Sequence, residues 1–270
     1  MSGANIYEDD SFCFRHHTSY NYPKNAHSAH SHNIYELIYF VGGDATHVIE
    51  NRRYKLRKGD LVLIRPLKHH FIQIDSLCDY ERYDILFDPE ALGIESIRLL
   101  DEGFDIMNLE DHPAADNIIR KTDYYFKHFK GQDFVKVTSL LLSELFYLLS
   151  VISSSEREMT SEGSPILSRA LEYINSNLAT ITDIGEIAKH CFVTESYLFR
   201  IFKNELHHSP KRYINEKRLL LADKRIASGE KPTAVYESCG FSDYTTFYRS
   251  YVSFFGHAPS RRISVMANKN

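Results

Sequence analysis

Histidines are concentrated in one part of this chain: eight of the fourteen lie between His16 and His70. Within that region, His30-x-His32-x3-Glu36 places two imidazoles and a carboxylate close together in sequence. If they face one cavity, these side chains suit Fe, Mn, Ni or Zn, with coordination positions left open. The same polar groups could instead bind an organic ligand or only stabilise the fold, and the spacing leaves these alternatives open.

A second group of chemically useful side chains lies in residues 231–262. The pattern predicts a short helix, a tight turn at Gly240 and a second helix over Tyr244–Phe255, with a serine or aspartate cap. The second helix would bury one apolar stripe and expose polar and aromatic side chains, which is typical of a helix-turn-helix. An ordinary packed helical hairpin is the alternative. The residues predicted to form the stripe are Phe247, Tyr251 and Phe254.

A similar pattern occurs upstream in residues 182–206, with a break at 191–193 and a Thr194 cap before a second helix. Both copies end in a short segment that carries a proline, at Pro210 and Pro259. Such an internal repeat supports the helix-turn-helix interpretation more strongly than either copy alone. Residues 211–228 between them predict an amphipathic helix with a basic face, and eighteen helical residues span about 27 Å. That length approaches the spacing of about 34 Å between successive major-groove faces of a duplex.

The preceding half of the chain has a period of two rather than 3.6. Short β-branched and aromatic runs, separated by turn residues at intervals near ten residues, predict a small antiparallel barrel or sandwich. The predicted strands cover residues 37–40, 46–49, 54–56, 61–64, 71–74 and 83–87.

Three helices are predicted after these strands, over residues 91–100, 114–129 and 133–153. The last is apolar on more than one face, so it must bury a second face somewhere. Burial against the barrel alone would satisfy it, but we favour a helical pair that forms a homodimer interface. The residues predicted at that interface are Leu141, Leu145 and Leu148.

Charge divides the chain unevenly. Residues 165–270 contain 15 Lys and Arg against 10 Asp and Glu, whereas residues 1–164 contain 17 against 26. A basic C-terminal part beside an acidic front indicates a polyanion-binding domain joined to one with another task. The polar, acidic N-terminus and the absence of an apolar run of about 20 residues predict no signal peptide and no membrane segment, hence a cytoplasmic protein. Four scattered cysteines predict neither disulfides nor a zinc site.

The last hundred or so residues resemble the double helix-turn-helix domain of the AraC/XylS family of bacterial transcription regulators. The resemblance rests on Ile187-Ala188, the run from Tyr197 to Lys203, Ser209-Pro210, Tyr213-Ile214, Gly240-Phe241-Ser242-Asp243, Phe247, Arg249, Gly256 and Pro259. One departure is His207, which stands where the family usually has glycine. The histidine and glutamate spacing, with Gly43, Gly59-Asp60 and Pro66 followed by His69-His70, is similar to the two motifs of cupin barrels, which the sensor domains of this family also resemble.

The resemblance implies a two-domain α+β protein. We expect a cupin-like antiparallel β-barrel with a helical dimerisation segment over 1–152, a linker rich in Ser and Glu over 153–165, and an all-α double helix-turn-helix over 166–270. Aligned on the family pattern, the residues expected to contact DNA are Ser196, Phe199, Arg200, Lys203, Lys211, Arg212, Tyr244, Thr245, Tyr248 and Arg249.

At the barrel, the positions matched by His30, His32, Glu36 and His70 hold a transition metal in metal-binding cupins. Because the second motif is irregular here, we expect these four residues to bind a small-molecule effector, and we expect no metal and no cofactor. The expected partners are a double-stranded DNA operator, RNA polymerase if the protein is an activator, and a second copy of the chain. The alternatives are a metal-dependent cupin enzyme, such as a dioxygenase or isomerase, and a module that binds a partner protein. Two tandem recognition helices favour a regulator that is not an enzyme.

Overall fold

The computed structural model describes residues 3–9, 11–100, 104–152 and 161–260. Two antiparallel sheets form the N-terminal domain. The strands are β1 (Gly3–Glu8), β2 (Phe12–Tyr22), β3 (Asn25–Ala26), β4 (Tyr35–Gly42), β5 (Ala45–Ile49), β6 (Arg52–Lys55), β7 (Asp60–Ile64), β8 (His70–Ile74), β9 (Cys78–Phe87), β10 (Ile106–Asn108) and β11 (Ser161–Glu162). One sheet has the order β1-β2-β9-β4-β7-β10 and the other β11-β6-β5-β8-β3. All six predicted strands overlap β4 to β9, which confirms the barrel prediction.

The period of two decides which face of the large sheet each side chain covers. On β4, Ile38 and Phe40 join an apolar cluster inside the barrel, whereas Leu37 and Tyr39 join a larger cluster on the outer face. This alternation follows because successive strand residues point to opposite faces. Both faces are therefore buried, one by the opposing sheet and one by helices.

The helices of this domain are α1 (Pro89–Leu92), α2 (Pro113–His128) and α3 (Gly131–Val151). The predictions for α2 and α3 are confirmed. The single helix predicted over residues 91–100 is wrong, because Gly93 ends α1 in the left-handed region at φ 68° and a 3-10 helix follows over Glu95–Leu99. Glycine tolerates that conformation, so it makes a favourable helix terminus.

Helix α3 packs its buried side against α2 and the outer face of the large sheet. Of the dimer residues predicted from sequence, Leu141 and Leu145 are buried in this core and Leu148 is partly buried against it. That prediction is wrong for Leu141 and Leu145, because their side chains are covered by their own subunit. Among the described residues, α3 is the one helix long and apolar enough to cross a membrane, and half of its most apolar window is buried inside the protein.

The C-terminal domain is all helical. It contains α4 (Pro165–Asn177), α5 (Ile184–His190), α6 (Glu195–Leu206), α7 (Pro210–Ala227), α8 (Pro232–Ser238) and α9 (Tyr244–Phe255). One apolar cluster joins α4, α5, α6 and the start of α7, and a second joins the rest of α7 with α8 and α9. Of the predicted linker, residues 153–160 lie outside the described residues, while β11 pairs with β6 and Pro165 begins α4.

Candidate nucleic-acid interface and ligand site

The first helix-turn-helix consists of α5 and α6. Thr194 caps α6, since its hydroxyl accepts a hydrogen bond from the Tyr197 N–H at 3.2 Å, as its position before the helix predicted. His207 ends α6 in the left-handed region at φ 58°, which explains why glycine would suit this position. The turn also carries Phe192, which is 88% exposed at φ 58°.

The second helix-turn-helix consists of α8 and α9. The Asp243 carboxylate caps α9 by accepting from the Thr246 N–H and the Thr246 hydroxyl, both at 2.8 Å. Gly240 has φ 90°, as the turn prediction requires. Phe247 and Tyr251 are buried and Phe254 is partly buried, so the predicted stripe faces the core and turns the opposite face of α9 outward.

The predicted DNA-contacting residues of the two second helices are accessible. On α6, Ser196, Phe199, Arg200 and Lys203 are all exposed. The Arg200 guanidinium lies 4.9 Å from the Tyr197 ring centroid, and Lys203 Nζ lies 5.8 Å from that of Phe199, so aromatic rings support both cations. On α9, Thr245, Tyr248 and Arg249 are exposed and Tyr244 is half-buried.

Lys211 and Arg212 lie in the first turn of α7, and both are exposed. Arg212 donates to Glu216 Oε1 at 2.7 Å and lies at a cavity between the domains. Its side chain is therefore partly engaged within the protein, although it is exposed to solvent. Sequence reasoning missed Tyr197 and Phe192 as parts of this surface. For Phe192 the sequence could have indicated an exposed position, because an aromatic side chain in the turn of a helix-turn-helix has no core position to fill.

The basic face predicted for α7 is only partly a free surface, although Lys224 is exposed. Lys217 is buried and donates to Glu50 Oε1 at 2.7 Å, while Arg218 donates to the Leu178 carbonyl at 2.8 Å. Lys and Arg can bury the aliphatic part of the side chain while the charged group forms a hydrogen bond or ion pair. A basic helix face therefore need not be exposed to solvent.

Glu50, in the turn between β5 and β6, is the centre of a polar contact between the domains. Its carboxylate accepts from Lys217 at 2.7 Å, from the Tyr213 hydroxyl at 2.6 Å and from the His69 N–H at 3.1 Å. Burial opposes the charge of Glu50, but Lys217 and Tyr213 outweigh that penalty and hold the pKa of the carboxyl below its usual value. A second ion pair joins Arg53 of β6 to Glu205 of α6 at 3.0 Å.

The four predicted ligand-binding residues converge at one end of the barrel. His30 and His32 precede β4, Glu36 is on β4 and His70 begins β8, next to His30 in an isolated β-bridge. One donor atom of each of the four lies within 4.8 Å of the others. The barrel interior beyond them is filled by apolar side chains, so the polar cluster forms the mouth of the barrel.

A cavity of about 1200 Å³ extends from this mouth to the helical domain. Arg82 and Asp84 of β9 contribute to its barrel wall, and α7, α9 and the segment after α9 form the opposite wall. His47 is buried beside His70, with ring centroids 6.0 Å apart, and burial lowers its pKa well below the usual value. Neither ring nitrogen of His47 has a hydrogen-bond partner among the described residues.

A barrel with a polar mouth, joined to two capped helix-turn-helix motifs, defines a two-domain DNA-binding regulator. Residues 16–122 match the family model of the AraC-like ligand binding domain, and residues 187–262 match a helix-turn-helix domain model. The activator RhaS of Pectobacterium carotovorum is 24% identical over an alignment 264 positions long, which covers 88% of this chain and 88% of RhaS. The chain belongs to the AraC family of transcriptional regulators.

Other similarities are shorter or more distant. The probable transcriptional regulator LumQ of Photobacterium leiognathi is 31% identical over 90 residues, which is 33% of this chain and 36% of LumQ. The match to this relative therefore spans about a third of the relative's own length. The crystal structure of a variant of apo ToxT from Vibrio cholerae aligns over 93% of this chain and 96% of the ToxT chain. The TM-score is 0.41 and the sequence identity is 15%.

Proposed function

We propose that this chain is a cytoplasmic homodimer that reads an operator with both helix-turn-helix motifs and responds to a small ligand at the barrel mouth. The observation that supports DNA reading is the pair of capped second helices, α6 and α9, which bury one face and expose polar and aromatic side chains on the other. Helix α7, of 18 residues, connects them and is about 27 Å long. That length suits successive major-groove faces on one side of a duplex.

The exposed residues divide into two roles in this proposal. Arg200 is near the middle of α6, where a guanidinium can donate two hydrogen bonds to guanine, and Phe199 can meet a thymine methyl. Lys203 and Lys211 lie near helix ends, where they contact phosphates. Arg249 makes no ion pair among the described residues, whereas Asp243 is occupied in capping α9, so Arg249 is available to a base.

Several partners follow from the family and belong to the same proposal. RhaS and RhaR relatives are named transcriptional activators, which supports contact with RNA polymerase. The same regulator names favour a protein that is not an enzyme, with His30, His32, Glu36 and His70 serving to bind an effector. We propose that the dimer interface lies on the exposed face of α3, because Leu141 and Leu145 are buried within the subunit.

The DNA-reading role is tested with the full chain, Arg200→Ala and Lys203→Ala, on an operator selected from random duplexes and on a scrambled duplex. We expect Arg200→Ala to weaken operator binding by about 1 to 3 kcal/mol and to leave scrambled binding nearly unchanged. Lys203→Ala should weaken both and flatten the dependence of log K on log salt by about 0.9.

The matched control is Lys127→Ala, which removes an exposed lysine of α2 in the other domain. It should leave both affinities unchanged. Equal effects of Arg200→Ala on the two duplexes would mean that the base-reading face of α6 is placed wrongly. If neither α6 variant changes binding to either duplex, these helices do not form the DNA interface.

A further inference from the structure

The turn of the first helix-turn-helix carries a large apolar residue where the backbone favours glycine. Phe192 has φ 58°, in the left-handed region, and its side chain is 88% exposed. A bulky L-residue is strained in this region. Because the ring is exposed, it buries little apolar surface within its own chain. Neither the backbone nor the core of the domain therefore requires an aromatic ring at this position.

Two hydrogen bonds hold the turn in this conformation. The Phe192 N–H donates to the Lys189 carbonyl at 3.1 Å, and the Val193 N–H donates to the Ala188 carbonyl at 3.0 Å. This pair of contacts is the Schellman motif that ends many helices, and Phe192 occupies the left-handed position where glycine is most common. Cys191, just before it, is buried in the apolar cluster of α4, α5 and α6. Since the turn cannot relax without losing these contacts, the backbone that carries the ring is fixed.

The second helix-turn-helix has the same turn with glycine at the equivalent position. The Gly240 N–H donates to the Glu237 carbonyl at 2.9 Å. The Phe241 N–H donates to the Tyr236 carbonyl at 3.1 Å. The two turns therefore share a backbone, and they differ in that Gly240 lies against neighbouring groups whereas Phe192 projects into solvent. This difference indicates that the Phe192 ring makes a contact outside the chain.

Phe192 lies beside the end of α6 at which a recognition helix contacts bases. It comes two residues before Thr194, the cap of α6, and the N-terminal residues of such a helix contact base edges in the major groove. Lys189, whose carbonyl accepts from Phe192, has an exposed side chain. Residues 189–204 contain three Lys and Arg against one acidic residue. This positive balance favours DNA over a protein as the partner of the ring.

We propose that Phe192 makes an apolar contact with a thymine methyl group in the major groove and so adds to the sequence preference of the first motif. This inference rests on the DNA-binding function proposed above. Phenylalanine is one of the side chains that contact the thymine methyl, the apolar group of that groove. A ring on a fixed backbone also loses little conformational freedom when it binds.

The position of the thymine follows from the length of α6. Arg200 comes six residues after Thr194, a rise of about 9 Å along the helix. Successive base pairs of a duplex lie about 3.4 Å apart. The thymine that Phe192 contacts should therefore lie about three base pairs from the base that Arg200 reads.

The contact is tested with full-length Phe192→Gly on the selected operator and on the scrambled duplex. We expect operator affinity to fall by about 4-fold or more, which is the effect of one methyl group that is no longer buried. Binding to the scrambled duplex and the slope of log K against log salt should stay nearly unchanged, because no phosphate contact is lost. Phe192→Leu, which keeps an apolar side chain, should recover part of the affinity. Leu77→Ala, which removes an exposed apolar side chain between β8 and β9, is the matched control and should not change binding.

The base is identified by replacing each thymine of the operator in turn with deoxyuridine, which lacks only the methyl group. One replacement should weaken binding of the wild-type chain by about 4-fold and leave binding of Phe192→Gly unchanged. Phe199→Ala should remain sensitive to that replacement, because Phe199 lies a turn and more further along the surface. If no replacement distinguishes the wild-type chain from Phe192→Gly, the methyl contact is contradicted.

Thermal unfolding separates this role from a structural one. Because glycine suits φ 58° and the ring that is lost is exposed, Phe192→Gly should have a Tm at least as high as that of the wild-type chain. A lower Tm, or an operator affinity equal to that of the wild-type chain, overturns this inference and leaves the proposed function standing. A wild-type chain that selects no operator contradicts the proposed function and this inference together.

Discussion

Gly240 joins the two helix-turn-helix motifs through close packing as well as through its backbone conformation. A Cβ at this position would lie 2.6 Å from Nε of Arg218 and 2.8 Å from the Ala179 carbonyl oxygen. Arg218 in turn donates to the carbonyls of Leu178 and Ile181, between α4 and α5. The turn of the second motif therefore packs against Arg218, which also donates hydrogen bonds to backbone carbonyls next to the first motif.

His16 is a residue whose protonation should affect the stability of the sensor domain. Its ring lies between Asp123 of α2, at 2.7 Å, and Glu81 of β9, at 2.9 Å. Burial lowers the pKa of His16, but the two carboxylates outweigh burial and hold the pKa above its usual value. Because the folded pKa is raised, the stabilisation is complete below the unfolded value of about 6.5 and is lost as pH rises through the folded pKa.

We therefore expect His16→Gln to lower the free energy of unfolding by about 1 kcal/mol or more near pH 6, with a smaller loss near pH 9. Urea unfolding of both proteins at a series of pH values measures the difference. His128→Gln, at an exposed position on α2, is the control and should show no such trend. A difference that grows with pH would contradict the role assigned to His16.

At the scale of elements, α3 has two apolar faces with different neighbours. The buried face carries Leu141 and Leu145, while Leu140, Tyr147 and Val151 are 65%, 61% and 77% exposed on the opposite side. Their spacing of seven and eleven residues places these three on one helical stripe. An exposed apolar stripe of this kind is typical of an interaction surface.

We expect Leu140→Glu to dissociate the proposed homodimer, because a charge would be desolvated in an apolar interface. The matched control is Leu145→Ala, which should lower the free energy of unfolding by about 2 to 5 kcal/mol while the folded protein remains a dimer. Sedimentation analysis and urea unfolding distinguish the two results. A wild-type monomer, or an intact Leu140→Glu dimer, would remove the interface from α3.

Some features of the helices could be predicted from the sequence and others could not. Caps and turn glycines act locally, so Thr194 and Gly240 could be identified from the sequence and the cap of α9 narrowed to Ser242 or Asp243, of which the structure selects Asp243. Helix α9 begins and ends where predicted. For α3, the pattern shows that two faces are apolar but does not indicate which one the sheet covers. Leu141 and Leu145 were therefore predicted on the face that their own subunit covers.

At the scale of the whole molecule, the buried pair of Glu50 and Lys217 should contribute to docking of the domains. Removing one partner leaves the other charge buried, which typically costs about 3 to 5 kcal/mol. In a double-mutant cycle of Glu50→Gln and Lys217→Met, we expect the double variant to be less destabilised than the sum of the single variants. The exposed pair of Arg225 and Glu230 is the control and should show a smaller coupling.

Additive effects of Glu50→Gln and Lys217→Met on the free energy of unfolding would show that the pair does not hold the domains together. The sequence did not predict this contact, because Glu50 and Lys217 are 167 residues apart. No local sequence pattern around either residue indicates that the two side chains meet. On α7, Lys217 fits a solvated basic stripe equally well. Only the packing of the two domains shows that it is buried.

The claim that both helix-turn-helix motifs read one duplex is tested by changing the spacing within the selected operator. If α6 and α9 enter successive major-groove faces, inserting about 5 base pairs between the two half-sites turns one of them to the opposite side of the duplex. We expect the full chain to lose most of its sequence-specific affinity for such a duplex, while binding to scrambled DNA stays unchanged. Affinity that is the same with and without the insertion would contradict simultaneous reading and would leave a single motif as the DNA-binding element.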